Sequence, residues 1–301
     1  MAIIVIGQVT RDTLIYPYQS WRVDERLGGL IYTVSALASL TDIQIRLICN
    51  VGEDLYNSVI SHFKKYPNVD ISGIRKIERR NIHCYIMFTS DYGSQYDEGA
   101  DTPINYSHVK SYLNDADFVL VSPMTGFDLN LRTFQFIKQT IKCPLYFDYH
   151  ILSLARDRIG TRYLKRRKNW LRWCSNCDHL QLNQVEAETL FSSPISSEVM
   201  MIRFAEPILN KGVKSVAVTL GEKGVLVSWK NKKMRTQAVR IETSPVSKVV
   251  DTIGCGDVFA SGFIIRYMQT HNLLEAYKFA NRVAGLKCTF NGLDGYSSYL
   301  K

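Results

Sequence analysis

Residues 249–264 read Val-Val-Asp-Thr-Ile-Gly-Cys-Gly-Asp-Val-Phe-Ala-Ser-Gly-Phe-Ile, a glycine turn and a carboxylate at the head of an apolar helix. Glycines at 254 and 256 let the backbone come close to a ligand. A helix starting near Cys255 points its first unpaired N–H groups at that ligand. Such a helix start favours negative charge. Asp257 is the odd member, because a carboxylate beside a phosphate repels it unless it accepts a proton from an attacking hydroxyl. Phosphoryl transfer to an alcohol needs that combination. The same residues also read as an ordinary helix cap with Asp257 in the first turn.

Several other positions carry chemistry of a matching kind. Asp12 follows Gly7 and the first apolar run, so it stands at the carboxyl edge of a sheet, where a carboxylate can accept hydrogen bonds from vicinal hydroxyls. Gly28-Gly29 precedes an apolar helical pattern that begins at Leu30. Asn183-Gln184-Val185-Glu186 has the spacing of a capping box, with Asn183 as cap and Glu186 three residues on. Val218-Thr219-Leu220-Gly221-Glu222-Lys223-Gly224 is a strand that runs into a glycine turn, a hairpin signal.

These residues need a scaffold, and the apolar periodicity supplies one. Short β-branched runs over 3–7, 45–49, 118–122, 145–148, 179–182 and 215–220 predict buried strands. Between them, 30–40, 55–65, 131–140, 186–190, 205–211, 258–270 and 273–290 carry helical spacing. Strand alternating with helix predicts a parallel sheet covered on both faces, with ligands at the carboxyl ends of its strands. Two stretches, 12–26 and 81–96, instead alternate apolar with polar residues, as in Cys84-Tyr85-Ile86-Met87-Phe88-Thr89. That pattern suits half-exposed antiparallel strands.

Taken in order, Gly7 to Asp12, Gly28-Gly29, Asn183-x-x-Glu186, Thr219-x-Gly221-x-x-Gly224 and Asp251-Thr252-x-Gly254-x-Gly256-Asp257 resemble the ribokinase family, the PfkB-type carbohydrate kinases. The resemblance runs from residue 7 to the turn at Asn291-Gly292. It implies a three-layer α/β/α fold with a mostly parallel sheet, as one domain over 1–301, with a β-sheet lid from about 12–27 and 81–100. It also implies a kinase that uses ATP and Mg²⁺, with Asp257 as general base and the Gly254, Cys255 and Gly256 amides as anion hole. Asp12, Gly28 and Gly29 would hold a sugar or sugar-like acceptor. Asn183 and Glu186 would organise the Mg²⁺ and phosphate region, Glu186 through water. Thr219, Gly221 and Gly224 would lie at the ATP phosphates and ribose, and Asn281 beside the adenine. Asp251 and Thr252 would shape the phosphate turn and a neighbouring cation environment, which leaves a monovalent cation as a further cofactor.

Two departures stand out. Cys255 occupies a position where the family usually has Ala or Ser. After Gly29 the chain has Leu30-Ile31-Tyr32-Thr33-Val34, where sugar-binding members often carry Lys and Asn, so Tyr32 is expected to stack on or flank the acceptor. The alternatives are a nucleoside kinase of the same fold and a catalytically silent ligand-binding regulator.

Composition narrows the field from the other side. With 46% hydrophobic and 22% charged residues the chain is not of a disordered class. No apolar run reaches membrane-span length, and the apolar start at 2–6 is too short for a signal-peptide core. Seven scattered cysteines argue for reduced thiols in a cytoplasmic protein, and Cys174 and Cys177 read as buried near a helix end rather than as a metal pair. The net charge of +9 suits nucleotides and other acidic small molecules. Its densest stretch, 156–172, reads as an amphipathic helix with a solvated basic face in preference to a nucleic-acid patch. Exposed lid strands would allow a homodimer. No Gly-x-x-x-x-Gly-Lys-Ser/Thr loop and no protein-kinase motif set occurs.

Overall fold

A computed structural model of the protein describes residues 1–88, 94–99, 102–246 and 248–299. The chain opens with β1 (Ala2–Gly7), buried along its whole length. Its Ile3 and Val5 enter one core and its Ile4 and Ile6 the other, as a strand between two helical layers must. The antiparallel pair β2 (Val9–Tyr16) and β3 (Arg22–Gly29) follows, then α1 (Leu30–Leu40), β4 (Gln44–Gly52) and α2 (Glu53–Phe63). Short β5 (Val69–Asp70) and β6 (Ile74–Ile77) flank β4, and a second excursion forms β7 (His83–Met87) and β8 (Ser94–Glu98).

The alternation resumes with α3 (Tyr106–Lys110), β9 (Phe118–Ser122), α4 (Leu131–Thr140) and β10 (Leu145–Asp148). A hairpin of β11 (Leu154–Arg156) and β12 (Arg162–Leu164) leads to α5 (Trp170–Cys174), β13 (His179–Asn183), α6 (Gln184–Phe191) and α7 (Glu198–Leu209). The chain ends with β14 (Ser215–Thr219), β15 (Val225–Lys230), β16 (Thr236–Ile241), α8 (Cys255–Thr270), α9 (Leu273–Lys287) and α10 (Tyr296–Tyr299).

The main sheet has ten strands in the order β16-β15-β14-β13-β10-β9-β1-β4-β5, with β6 also on β4. Pairings from β5 across to β14 are parallel, and β15 and β16 add an antiparallel edge. One face is covered by α1, α2, α8 and α9, through residues such as Val34, Val59, Phe263 and Tyr277. The other is covered by α3 to α7, through Val109, Phe134, Trp173, Leu190 and Phe204. A second sheet of four strands, β3-β2-β7-β8, comes from the two stretches of alternating pattern. Its β2 and β7 run parallel, whereas the flanking pairs are antiparallel as expected. Residues 89–93 and 100 of the second stretch lie outside the described residues.

The structure corrects some readings. Helix α7 starts at Glu198, because the Ser197 side chain accepts from the Met200 amide, and Pro207 sits inside it. Helix α9 ends at Lys287 rather than 290. The basic segment 156–172 is not one amphipathic helix: a turn at Gly160 closes the β11–β12 hairpin, and only Trp170–Cys174 is helical. Nor is its charge all solvated. Arg162 is buried against Asp97, and Arg167 donates through Nε to the Leu152 carbonyl at 2.8 Å. Lys165, Arg166, Lys168 and Arg172 are exposed. Cys174 and Cys177 are buried at the end of α5, where the Cys177 thiol donates to the Cys174 carbonyl.

Candidate active site

The glycine turn lies at the carboxyl end of the parallel sheet and feeds α8. Gly254 caps that helix with φ +81°, and a Cβ there would stand 2.5 Å from Cδ1 of Tyr32. Only glycine fits on both counts. A Cβ at Gly256 would meet nothing nearer than Gln181 Nε2 at 3.4 Å, so this side of the turn is open to a ligand. Among the described residues the Gly254 and Gly256 amides have no hydrogen-bond acceptor, while the Cys255 amide closes the turn onto the Thr252 carbonyl at 3.3 Å. Two of the three expected donors are therefore free. Gln181 Nε2 holds the Gly256 carbonyl at 3.1 Å, and the Tyr146 hydroxyl fixes Gln181 from behind.

Asp257 follows in the first turn of α8 and accepts from the Thr33 hydroxyl of α1. Burial pushes its carboxyl up to about 6, against the lowering effects of Thr33, its own amide and the Lys287 charge. Asp251 is tied down on every side. Its Oδ1 accepts from the Ile253 amide at 2.9 Å, and its Oδ2 accepts from the Gly292 amide at 2.9 Å and Arg26 Nη1 at 3.2 Å. The fully buried Lys287 ammonium sits 3.6 Å from Oδ2 and donates to the Asp251 and Phe290 carbonyls at 3.3 and 3.4 Å. Burial alone would raise the Asp251 pKa. The Gly292 and Ile253 amides, then Lys287 and Arg26, hold it below the ordinary carboxylate range. Thr252 is exposed and contributes its carbonyl to the turn.

A cavity of about 340 Å³ opens between the small sheet and the main one. Thr10, Asp12, Gln95, His150, Asn183 and Glu186 give it polar groups, and Gly29, Ile86, Met124, Leu154 and Leu164 are among the rest of its wall. Asp12 is buried, accepts from the Thr10 hydroxyl at 2.7 Å and is pushed up to about 6 by burial, which outweighs Thr10 and Arg26. Register places Thr10 opposite Gly28 and Val9 opposite Gly29. A Cβ at Gly28 would overlap the Asp12 carboxylate, so glycine there is what lets Asp12 turn inward. Tyr32 does not join this wall. It is 3% exposed, packs under Gly254 and accepts at its hydroxyl from Arg26. Asp257 is not in the cavity wall either, but its charge raises the pKa of both Asp12 and Asp148.

Asn183 and Glu186 form the expected capping box: Asn183 Oδ1 accepts from the Glu186 amide at 2.9 Å, and Glu186 Oε2 accepts from the Asn183 amide at 2.8 Å. Burial and then the nearby Asp148 raise the Glu186 pKa, and burial and Asp257 raise that of Asp148. Among the described residues no three His, Cys, Asp or Glu side chains group to hold a metal directly. A hydrated Mg²⁺ fits better, since it keeps its waters and needs only one or two carboxylates plus phosphates. Thr219 lies at the end of β14, with its hydroxyl donating to the Leu182 carbonyl at 3.4 Å. Gly221 and Gly224 bracket the turn to β15. Asn281 is buried and donates to the Glu242 carbonyl at 2.8 Å, tying α9 to the segment after β16. Lys287, Arg26, Asp148 and Thr33 belong to this site and carried no motif signal.

The sequence profile of the pfkB family carbohydrate kinases matches residues 3–296. A deoxyribokinase of Salmonella typhi is 27% identical over 99% of this chain and 95% of its own length. A cytidine kinase of Thermococcus kodakarensis is 25% identical over 92% of each chain. The ribokinase of Thermotoga maritima superposes with a TM-score of 0.77 at 20% identity, over 100% of this chain and 98% of that one, which shows the shared fold. The chain belongs to the pfkB family of carbohydrate kinases. It is a phosphotransferase with an alcohol group as acceptor.

Proposed function

We propose that the protein transfers the γ-phosphoryl group of ATP to a hydroxyl of a sugar or sugar-like molecule held in the cavity beside Asp12. The observation that carries this reading is Asp257, a carboxylate raised to about 6 in the first turn of α8, beside a backbone turn with free amides. A base with that pKa is ionised at neutral pH and still basic enough to take the acceptor's proton. The Gly254 and Gly256 amides stabilise charge on the transferring group, and loss of one such donor costs ~3 kcal/mol. Asp12 and the backbone at Gly28 and Gly29 orient the acceptor. Thr219, Gly221, Gly224 and Asn281 border the nucleotide side, and Asp251 and Thr252 hold the turn. Asp148 and Glu186 would hold a hydrated Mg²⁺ through its waters, and the ion would supply charge neutralisation at the phosphates. The chain acts as one domain whose four-stranded sheet closes over the acceptor and keeps water from the donor.

A nucleoside acceptor is the second reading. The cavity wall includes Ile86, Met124, Ile151, Leu154 and Leu164, apolar surface that a base could cover, and the cytidine kinase aligns along nearly the full chain. The test is ATP consumption by wild type and Asp257→Asn over a panel of sugars, polyols and nucleosides with Mg²⁺. We expect turnover on one class and a loss of at least about a hundredfold in the variant. Equal turnover by the variant would remove Asp257 from the chemistry.

A further inference from the structure

The two cysteines nearest the anion turn face each other. Cys255 is the first residue of α8, Cys288 follows the last residue of α9, and their sulfurs stand 3.0 Å apart. Both residues are partly exposed, whereas Cys49, Cys84, Cys174 and Cys177 are buried. The backbone carbonyl of Cys288 also accepts from the Val250 amide at 2.7 Å and the Asp251 amide at 3.3 Å. The start of the turn is thus pinned to Cys288 by its backbone, and the end of the turn meets the same residue through its side chain.

We propose that Cys255 and Cys288 form a reversible disulfide when the protein meets a peroxide, and that this bond stops phosphoryl transfer by displacing the anion turn. The second half rests on the function proposed above. A disulfide needs about 2.05 Å between sulfurs, so roughly 1 Å must be closed, and Cys255 lies between the two glycines whose amides face the ligand. The direction of attack follows from the charges. The hydrogen bond with Cys255, with help from the Lys287 ammonium and against burial, lowers the pKa of the Cys288 thiol. That lowering and the neighbouring ammonium favour the thiolate of Cys288, the reactive form. Its sulfur attacks one peroxide oxygen, giving a sulfenic acid and hydroxide, which takes up a proton to become water. Cys255 then attacks the sulfenic sulfur, its thiol proton leaves with the displaced hydroxyl as a second water, and the disulfide remains. The two sulfurs together lose two electrons, and the peroxide gains them. A thiol reductant reverses the step by exchange.

The experiment treats reduced full-length protein with a few equivalents of hydrogen peroxide, then maps its disulfides by peptide mass and assays phosphoryl transfer before and after dithiothreitol. The expected result is a 255–288 link, a turnover loss of roughly a hundredfold, and recovery on reduction. Cys288→Ala should keep its basal turnover and lose the sensitivity. Absence of the link, a link with unchanged turnover, or a Cys288→Ala variant that peroxide still inactivates would each overturn the proposal. Failure of the kinase reading shows separately, as no turnover by the reduced protein on any acceptor. In that case the link and the hydrogen exchange of amides 254–256, compared between the oxidised and reduced forms, decide, with unchanged exchange counting against the switch.

Discussion

Asp257 and Asp12 are both carboxyls that burial has pushed up to about 6, and each retains one hydroxyl donor, Thr33 and Thr10, that pulls the other way. As the proposed general base, Asp257 must be deprotonated to act. Turnover should therefore fall as pH drops through about 6, and more steeply than for one proton if Asp12 must also be ionised to hold the acceptor. The check is kcat/KM from pH 5 to 9 at saturating nucleotide; a flat profile down to pH 5 would sink the assignment. Thr33→Val removes the bond that favours the charged form of Asp257, so its acid limb should move to higher pH. At this scale, what the sequence revealed depended on distance along the chain. Asp257 and Asp12 announce themselves through neighbours a few residues away. Arg26 reaches Asp251 across 225 residues, and Lys287 is a lysine in an amphipathic helix until the fold buries it. Nothing local encodes those convergences.

Among the elements, the β11–β12 hairpin shows why the charge run at 156–172 was misread. Arg162 donates through Nε to Asp97 Oδ2 at 2.6 Å and also to the Thr125 carbonyl, with both charged side chains almost wholly buried. The Asp97 amide donates to the Gly160 carbonyl at 2.9 Å, and Tyr96 bridges to Thr161. This hairpin therefore anchors β8, the outer strand of the small sheet, to the main body. A cluster of arginines looks solvated in a sequence because the partner that buries one of them lies 65 residues away. Arg162→Met should leave Asp97 buried and unpaired, at a cost of about 3–5 kcal/mol. Urea unfolding would measure it, and a loss under about 1 kcal/mol would show that the pair is not holding the element. Because Gln95 and Leu164 line the cavity beside Asp12 that is proposed to hold the acceptor, the surviving folded variant should also show a higher KM for the acceptor with less change in kcat.

At the scale of the whole molecule the parallel sheet was readable because its strands are buried on both faces, which turns them into short, nearly continuous β-branched runs such as Val119-Leu120-Val121. What joins those strands at their amino ends, away from the glycine turn before α8, was not readable. Asp178 Oδ2 accepts from the Leu145 amide at 2.9 Å and from Lys138 of α4, while its Oδ1 lies 3.3 Å from Lys214. Its backbone carbonyl takes the Lys214 amide at 2.7 Å, so one residue joins α4 and the beginnings of β10 and β14. Burial opposes the charge on Asp178, but Lys138, the Leu145 amide and Lys214 hold its pKa below the ordinary value. A carboxyl depressed on folding gives stability that is complete above its unfolded pKa, about 3.9, and is lost as pH falls through the folded one. Asp178→Asn should therefore cost about 2 kcal/mol at pH 7. That difference should be smaller at pH 3, below the unfolded pKa, and should vanish only below the folded one, where wild type has lost the same charge. Since Asp178 stands at the amino ends of these central strands, away from Asp257, kcat should not change. Unfolding midpoints for both proteins at the two pH values, with kcat alongside, test the claim: an equal loss at both pH values would mean that side-chain shape and not charge holds these strand ends, and a fall in kcat would mean that the two ends of the strands are coupled.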